Sequence, residues 1–450
     1  MTAHRLHQLL RSYKLEANPP FPTSASKLRL SARTRKKTAM EMQPAQLEAI
    51  TKQLASLKEH SPFYAKKFEG IDLGDVKSQA DFEKLPFTEK ADLRDAYPLG
   101  LAAVPQEKIV RIHSSSGTTG TPVIIPYTKK DVEDWAIQFA RCYEYAGVTA
   151  EDRVQITPGY GLWTAGIGFQ AGCELLGAMA IPMGPGNTEK QLQFMMDMES
   201  TVFTATASYA LLIAEEVEKR GIKDKIKLKK LITGSERAGE KIRKRIVDAL
   251  GVEYYDIYGL TEVYGPGIGI NCQHTHGMHV WSDYVYLEII NPETGEVLPD
   301  GEWGEIVLTT LQKEGAPLIR FRTHDLSRII PGECACGHNE HPRLDTLTGR
   351  SDDMMKIHGV NVFPAQIEEV LKEFPDLSSE YQIRISHLDG RDWMRVYVEA
   401  SGSVDWMKAS KDVATRMKSK IGFTPLVKIV ELGFLPRSEK KTKRVFDERD

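Results

Sequence analysis

Seven hydroxyl and glycine residues fill the stretch Ser114-Ser115-Ser116-Gly117-Thr118-Thr119-Gly120, which follows His113 and a short apolar run, Ile109-Val110-Arg111-Ile112. Glycines reach backbone angles that side chains forbid, so such a segment can fold tightly around a ligand. Its N–H groups and hydroxyls then converge as donors, the arrangement a polyphosphate requires. Composition alone suits a Ser/Thr/Gly linker equally well. A linker, however, is not normally bracketed by apolar residues, and Val123-Ile124-Ile125 follow here. The Gly-x4-Gly-Lys-Ser/Thr spacing of a Walker A loop is missing, and no lysine follows Gly120. The stretch is a phosphate-loop candidate of another class.

Four further stretches carry groups suited to nucleotide chemistry. Tyr255-Asp256-Ile257-Tyr258-Gly259-Leu260-Thr261-Glu262 puts two acids, two aromatics, a glycine and a hydroxyl at an expected strand end, where open α/β sheets bind ligands. Glu262 can hold Mg²⁺, which favours one or two carboxylates plus phosphate oxygens; a capped surface turn is the plain alternative. Arg320-Phe321-Arg322-Thr323-His324-Asp325-Leu326 offers a carboxylate among basic residues, able to accept from ribose hydroxyls or simply to form a solvated ion-pair cluster. The polar run from Gly349 through Arg350, Ser351, Asp352 and Lys356 to Gly359 suits a hinge. Leu435-Pro436-Arg437-Ser438-Glu439-Lys440-Lys441-Thr442-Lys443-Arg444 is a basic tail, which by itself reads as a solvated face.

A separate constellation combines Cys334-Ala335-Cys336 and Cys272 with His274, His276 and His279. Three thiols and an imidazole are the donors of a tetrahedral structural zinc site. Free thiols in a loop are the alternative, because the pairs lie far apart and Cys-x-Cys is looser than Cys-x2-Cys.

These groups need elements to hold them. The chain has 450 residues, 41% hydrophobic and 27% charged, enough for two or three domains with substantial cores. A net charge of −3 gives no reason to expect nucleic acid or an anionic membrane as partner. No apolar run approaches the roughly 18 residues of a transmembrane helix. Five cysteines, odd and sparse, favour a reducing compartment and a cytoplasmic setting. Residues 1–40 form a basic, serine-containing extension that reads as a disordered leader, a transit peptide being the alternative.

From Gln43 onward, Leu47, Ile50, Leu54 and Leu57 recur at helical spacing until Ser61-Pro62. After the Ser/Gly loop, a helix over 131–146 is expected to bury Trp135, Phe139 and Cys142. Ser208 is expected to cap a helix through Arg220. Strands are expected at 154–156, 178–181, 231–232 and 254–258. Strands alternating with helices predict a largely parallel, helix-covered sheet. Residues 284–290 and 305–311 read as antiparallel strands joined through the turn Asn291-Pro292-Glu293-Thr294-Gly295. A last unit holds helices at 364–374 and 406–421 and strands at 381–385 and 395–399. Pro364 suits a helix start, where its missing N–H costs nothing.

Order and spacing together resemble the acyl-adenylate-forming superfamily of acyl-CoA synthetases, luciferases and nonribosomal-peptide adenylation domains. Within it the chain is most similar to the phenylacetate–CoA ligases. The closer likeness rests on Leu85-Pro86-Phe87-Thr88-Glu89-Lys90, on Tyr160-Gly161-Leu162-Trp163-Thr164, and on Asp353-Met354-Met355 with Gly359-Val360-Asn361-Val362-Phe363-Pro364. The resemblance implies an α/β fold. A large N-terminal adenylate-forming domain (41–350) would carry helix-covered sheets and a small β-rich subdomain. A small, mobile α+β C-terminal domain (351–450) would follow.

It also implies ATP, Mg²⁺ and coenzyme A, an aryl acid substrate, no nucleic acid and no membrane, with a homodimer left open. Ser115, Ser116, Gly117, Thr118, Thr119 and Gly120 would hold the β- and γ-phosphates, and Thr261 and Glu262 the α-phosphate and Mg²⁺. Gly234, Ser235, Glu236, Asp256, Ile257, Tyr258 and Gly259 would enclose adenine, and Asp325 and Arg350 the ribose. Tyr160, Gly161 and Trp163 would line an apolar acid pocket. Lys441 matches the adenylation lysine. Asp352 would be the pivot, and the Lys356–Gly359 face would admit the CoA thiol. Of the three histidines, His279 would complete the zinc set with Cys272, Cys334 and Cys336. Three positions depart from the common pattern: Thr121 where lysine is frequent, His324 where glycine is usual, and Lys440 where glycine usually precedes the catalytic lysine, which makes Lys440 a minor rival to Lys441. The alternatives are an adenylyltransferase acting on another acceptor, such as a deazaflavin cofactor, without CoA, or a non-catalytic nucleotide-binding regulator.

Overall fold

The computed structural model describes residues 41–115, 121–162, 164–274, 277–357, 360–388, 391–437 and 442–449. Strands β1 (Ile109–Ser114) and β2 (Ile124–Thr128) pair antiparallel, so the apolar runs on either side of the Ser/Gly loop form a hairpin. Residues 116–120 of the loop lie outside the described residues.

The main sheet follows from the alternation of β-branched runs and amphipathic helices. Strands β3 (Arg153–Ile156), β4 (Met179–Pro182), β5 (Val202–Thr206), β6 (Lys230–Gly234) and β7 (Glu253–Leu260) are parallel, in the order β4-β3-β5-β6-β7. Beyond β7 the sheet turns antiparallel through β8 (Gly265–Asn271) and β9 (Met278–Val280). The helix Lys129–Tyr145 buries Trp135, Phe139 and Cys142 against one face. Beside it packs Ala165–Leu176, whose Gly168 and Gly172 leave no room for a side chain against Phe139 and Trp135. On the opposite face, Ala207–Arg220 and Glu240–Leu250 cover β5, β6 and β7 with a second apolar cluster.

One expected cap is corrected. Thr206, not Ser208, caps the helix Ala207–Arg220: its side chain accepts from the Tyr209 amide at 3.2 Å. Thr206 still has extended backbone angles, as an N-cap requires, whereas Ser208 already lies within the first turn.

The β-rich part comprises β10 (Val285–Ile290), β11 (Gly304–Thr310) and β12 (Phe321–Ser327), all antiparallel. The short β13 (Arg343–Leu344) returns to the main sheet beside β9, and β14 (Gly349–Arg350) adds to β12. After a 3₁₀ turn at Ser351–Asp353 come the hairpin β15 (Met355–Ile357) and β16 (Val360–Val362), then β17 (Leu377–Leu388) and β18 (Arg391–Ala400). Strands β19 (Leu426–Glu431) and β20 (Val445–Glu448) flank this pair in parallel, and the helices Pro364–Lys372 and Trp406–Ile421 complete an α+β layer with its own apolar core. Strands β17 and β18 run longer at both ends than their apolar cores at 381–385 and 395–399 suggest, because polar residues extend the same ladder. Among the described residues no helix is long and apolar enough to cross a membrane.

Candidate active site

Near the carboxyl ends of the parallel strands, two of the stretches singled out by composition meet the Tyr160–Thr164 segment that the resemblance singled out. The Ser114 amide donates to the Leu162 carbonyl at 2.9 Å, and His113 Nδ1 approaches the same oxygen at 3.1 Å. This ties the base of the Ser/Gly loop to the Tyr160–Thr164 segment. Ser115 closes the hairpin: its Oγ accepts from the Val123 amide at 3.0 Å, and its own amide donates to the Val123 carbonyl. Thr164 Oγ1 and Thr261 Oγ1 lie 3.4 Å apart, which draws in the strand-end motif. Glu262 is buried, and Lys90 Nζ reaches its Oε1 at 2.8 Å. Tyr160 is half-buried over Gly166, its hydroxyl buried without a described hydrogen-bond partner, and burial pushes its phenol above the ordinary range. Gly161 takes a left-handed φ of 94°, where a side chain would be strained. Trp163 lies outside the described residues.

A second group forms where β7, β12 and β14 meet. The Tyr258 hydroxyl donates to Asp325 Oδ2 at 2.8 Å, and Arg350 Nη1 donates to Asp325 Oδ1 at 3.2 Å. β14 pairs Arg350 directly opposite Asp325. Arg350 also grips Asp352 at 2.8 and 2.9 Å, so Asp325 and Asp352 share one guanidinium. Asp256 is half-buried, accepts from Thr233 Oγ1 at 3.1 Å, and is raised above the ordinary carboxylate range by burial. Gly234 has no space for a side chain against Ile257. The next residue, Ser235, has φ +70°. Gly259 is packed against Gly265 and Pro266. Glu236 accepts from the Ser208 amide at 2.6 Å and from the Thr442 amide at 3.2 Å. Lys356 is exposed on β15. Gly359, Lys440 and Lys441 lie outside the described residues.

His324 stands where glycine is usual, and its φ of +63° explains the preference for glycine. Its contacts offset the strain. Nε2 lies 3.2 Å from Glu89, and Nδ1 lies 3.0 Å from Ser351 Oγ and 3.5 Å from Glu305. Hydrogen bonds to Glu305 and Glu89 raise the imidazole to about 9. Burial alone would raise Glu305, but bonds from His324 and Arg322 hold it at about 2. The folded imidazole thus exceeds its ordinary value of 6.5. Its stabilisation is fully present below that pH and fades as pH rises through about 9, on the order of 3 kcal/mol in all. Denaturant unfolding from pH 6 to 10 is expected to show this decline in the parent protein and a flatter profile in His324→Gln. Parallel profiles would refute it.

Composition and spacing did not disclose several of these groups. Lys90 and Glu89 belong to a motif with no evident chemistry of its own, yet they reach Glu262 and His324 respectively. Lys313 is buried with its ammonium over the rings of Tyr127 (3.7 Å) and Tyr264 (4.3 Å), and burial lowers it to about 8. A lone lysine in a connecting loop gives no sequence signal of that cage.

The thiol–imidazole set assembles at the antiparallel edge of the main sheet. Cys272 follows β8, His279 lies on β9, and Cys334 and Cys336 lie in the loop before β13, where Arg343 pairs opposite His279. One ligand atom from each lies within 4.8 Å of the others. Cys272 and Cys334 sulfurs are 3.7 Å apart, and Cys336 Sγ is 3.4 Å from His279 Nε2. Zinc–sulfur bonds of about 2.3 Å imply a tetrahedral S···S edge of ~3.8 Å, so the donor set fits the ion. His274 is not part of the cluster, and His276 lies outside the described residues.

A family model described as "AMP-binding enzyme" matches residues 36–312, and one described as "AMP-binding enzyme C-terminal domain" matches residues 359–449. Phenylacetate-coenzyme A ligase of Pseudomonas putida is 41% identical over 414 residues, covering 90% of this chain and 93% of that protein. Among solved structures, 2-hydroxyisobutyryl-CoA ligase in the postadenylation state aligns with TM-score 0.83 at 27% identity, covering 96% of this chain and 97% of that one. The thioesterification state of that enzyme aligns with TM-score 0.66 at 29% identity, covering 92% of each chain. The chain therefore belongs to the AMP-binding enzyme family, among the phenylacetate–coenzyme A ligases.

Proposed function

We propose that this protein joins phenylacetate to coenzyme A in two half-reactions. The substrate carboxylate attacks the α-phosphorus of ATP, the bond to the β-phosphate breaks, and acyl-adenylate and pyrophosphate form. The CoA thiol then adds to the acyl carbon, losing its proton, and AMP departs with its electron pair. The observation that carries this reading is that the Tyr160–Thr164 segment joins the Ser/Gly loop base to Thr261, while Tyr258 of the same strand-end motif holds the Asp325–Arg350 pair. Likeness to the ligases over nine-tenths of the chain favours this reaction over a CoA-independent adenylyltransferase or a regulator.

The chain's own groups have distinct tasks. The Ser115–Gly120 loop, Ser115 at its base, binds the β- and γ-phosphates. Asp325, oriented by Tyr258 and Arg350, accepts from the ribose. The close approach of Gly234 to Ile257 leaves a flat wall for adenine, with Ser235, Glu236 and Asp256 at its rim. Glu262 offers a buried carboxylate whose described ion-pair partner is one lysine side chain, a donor fitted to Mg²⁺. That ion would supply charge neutralisation at the phosphates. Tyr160 and Gly161, with Trp163, line the aryl pocket. Lys441 stabilises charge on the attacking carboxylate and phosphate. Asp352 is the pivot, and the Lys356–Gly359 face admits the thiol. Cys272, His279, Cys334 and Cys336 hold a structural zinc that ties the 334–336 loop to the sheet edge.

The test is a panel of aryl acids assayed for AMP formation with and without CoA. Phenylacetate is expected to give AMP in step with thioester, and at higher kcat/KM than indoleacetate or hydroxylated analogues. Sustained AMP formation without CoA, or none with any aryl acid, would refute the reading.

A further inference from the structure

Ser208 is the second residue of the helix Ala207–Arg220, so its amide is one of the first-turn N–H groups that lack an intrahelical acceptor. Glu236, after β6, satisfies it through Oε1 at 2.6 Å. The other carboxylate oxygen of Glu236 accepts from the Thr442 amide at 3.2 Å, and the Thr442 hydroxyl donates to Ser208 Oγ at 2.6 Å. The three residues close a ring of hydrogen bonds between the N-terminal sheet region and the C-terminal tail. Thr442 follows Lys441 directly in the chain. On the other side of that lysine, Arg437 reaches Glu215 of the same helix at 3.4 Å while holding Glu399 of β18 at 3.0 and 2.9 Å. The helix Ala207–Arg220 therefore engages the tail on both flanks of Lys441.

We propose that Ser208, Glu236 and Thr442 form a latch that docks the lysine-bearing tail for adenylation and must open before thioester formation. The latch rests on the two-step reading above. Glu236 thus serves the tail as well as the adenine rim. The arrangement in which the latch is closed lies nearer the postadenylation than the thioesterification state of 2-hydroxyisobutyryl-CoA ligase, with TM-scores of 0.83 against 0.66. Bonds present in one arrangement and absent from the other bias the equilibrium between them. Ser208 and Thr442 are positioning residues, since they act on the reacting atoms through the placement of Lys441.

Thr442→Val removes the hydroxyl donor at nearly constant shape, and Ser208→Ala removes the acceptor while keeping the amide that Glu236 binds. Each is expected to slow single-turnover pyrophosphate release about fivefold, the weight of one hydrogen bond. Thioester formation from supplied phenylacetyl-adenylate stays unchanged or quickens. The double variant is no slower than either single one, because both lose the same bond, and Thr442→Ser restores the parent rate. Equal slowing of both half-reactions, or additive losses, would overturn the latch. Hydrogen–deuterium exchange over residues 442–449 reads docking without turnover: faster exchange in both variants supports the latch, and unchanged exchange refutes it. A parent protein that shows latch-dependent protection yet forms no adenylate would refute the ligase reading alone.

Discussion

Lys441→Ala is expected to lower ATP-dependent pyrophosphate release by about 10³-fold while leaving thioester formation from supplied acyl-adenylate within about twofold. The magnitude is that of removing one preorganised charge from a nucleotidyl-transfer transition state, where the protein acts by neutralising and aligning charge. No other tail lysine is a close substitute. Lys440→Ala should cost no more than a few-fold, because Lys441 rather than Lys440 takes the position of the adenylation lysine in the resemblance. The split between half-reactions discriminates: a residue that merely held the fold would depress both, and equal loss would remove Lys441 from its assigned role. The latch at Thr442 gives the same split at much smaller amplitude, because loss of one docking bond shifts a population whereas loss of the ammonium removes the charge itself.

Protein purified without a His-tag is expected to contain one zinc per chain. Its removal by a strong chelator, or Cys334→Ser, should lower the melting temperature on the order of 10 °C. Cys272 and His279 belong to the sheet edge, whereas Cys334 and Cys336 belong to a loop that crosses to it. The ion would link segments about sixty residues apart in sequence, and without it the crossing loop keeps few apolar contacts of its own. Zinc readdition should restore the melting point of the chelated protein but not of Cys334→Ser. Absence of stoichiometric zinc, with no change on chelation, would leave the cluster as free thiols.

Much of this architecture is written in short-range pattern. Alternating β-branched strands and amphipathic helices predicted the parallel core from β3 to β7. The spacing of Trp135, Phe139 and Cys142 predicted a buried helix face. The ordered appearance of the Ser/Gly loop, Glu262, Asp325 and Arg350 predicted a nucleotide site. Each signal depends on residue types within a few positions of one another, where backbone geometry alone decides which side chains share a face. The same proximity makes boundaries fallible: Thr206 and Ser208 are both good caps by type, and only the backbone angles at the helix start chose Thr206.

What the chain alone determined is therefore the fold class, the nucleotide motifs and the set of candidate metal ligands. Tertiary structure decided which groups face each other. His324 departs from the common glycine, and its partners Glu89, Glu305 and Ser351 come from three other segments. Lys90 reaches Glu262 across the N-terminal region, and Thr442 bonds Glu236 and Ser208 from 206 and 234 positions away. No periodicity encodes such pairs. Their separation in sequence is bridged only when the sheets twist and pack, so their charges and hydrogen bonds are consequences of the assembled fold.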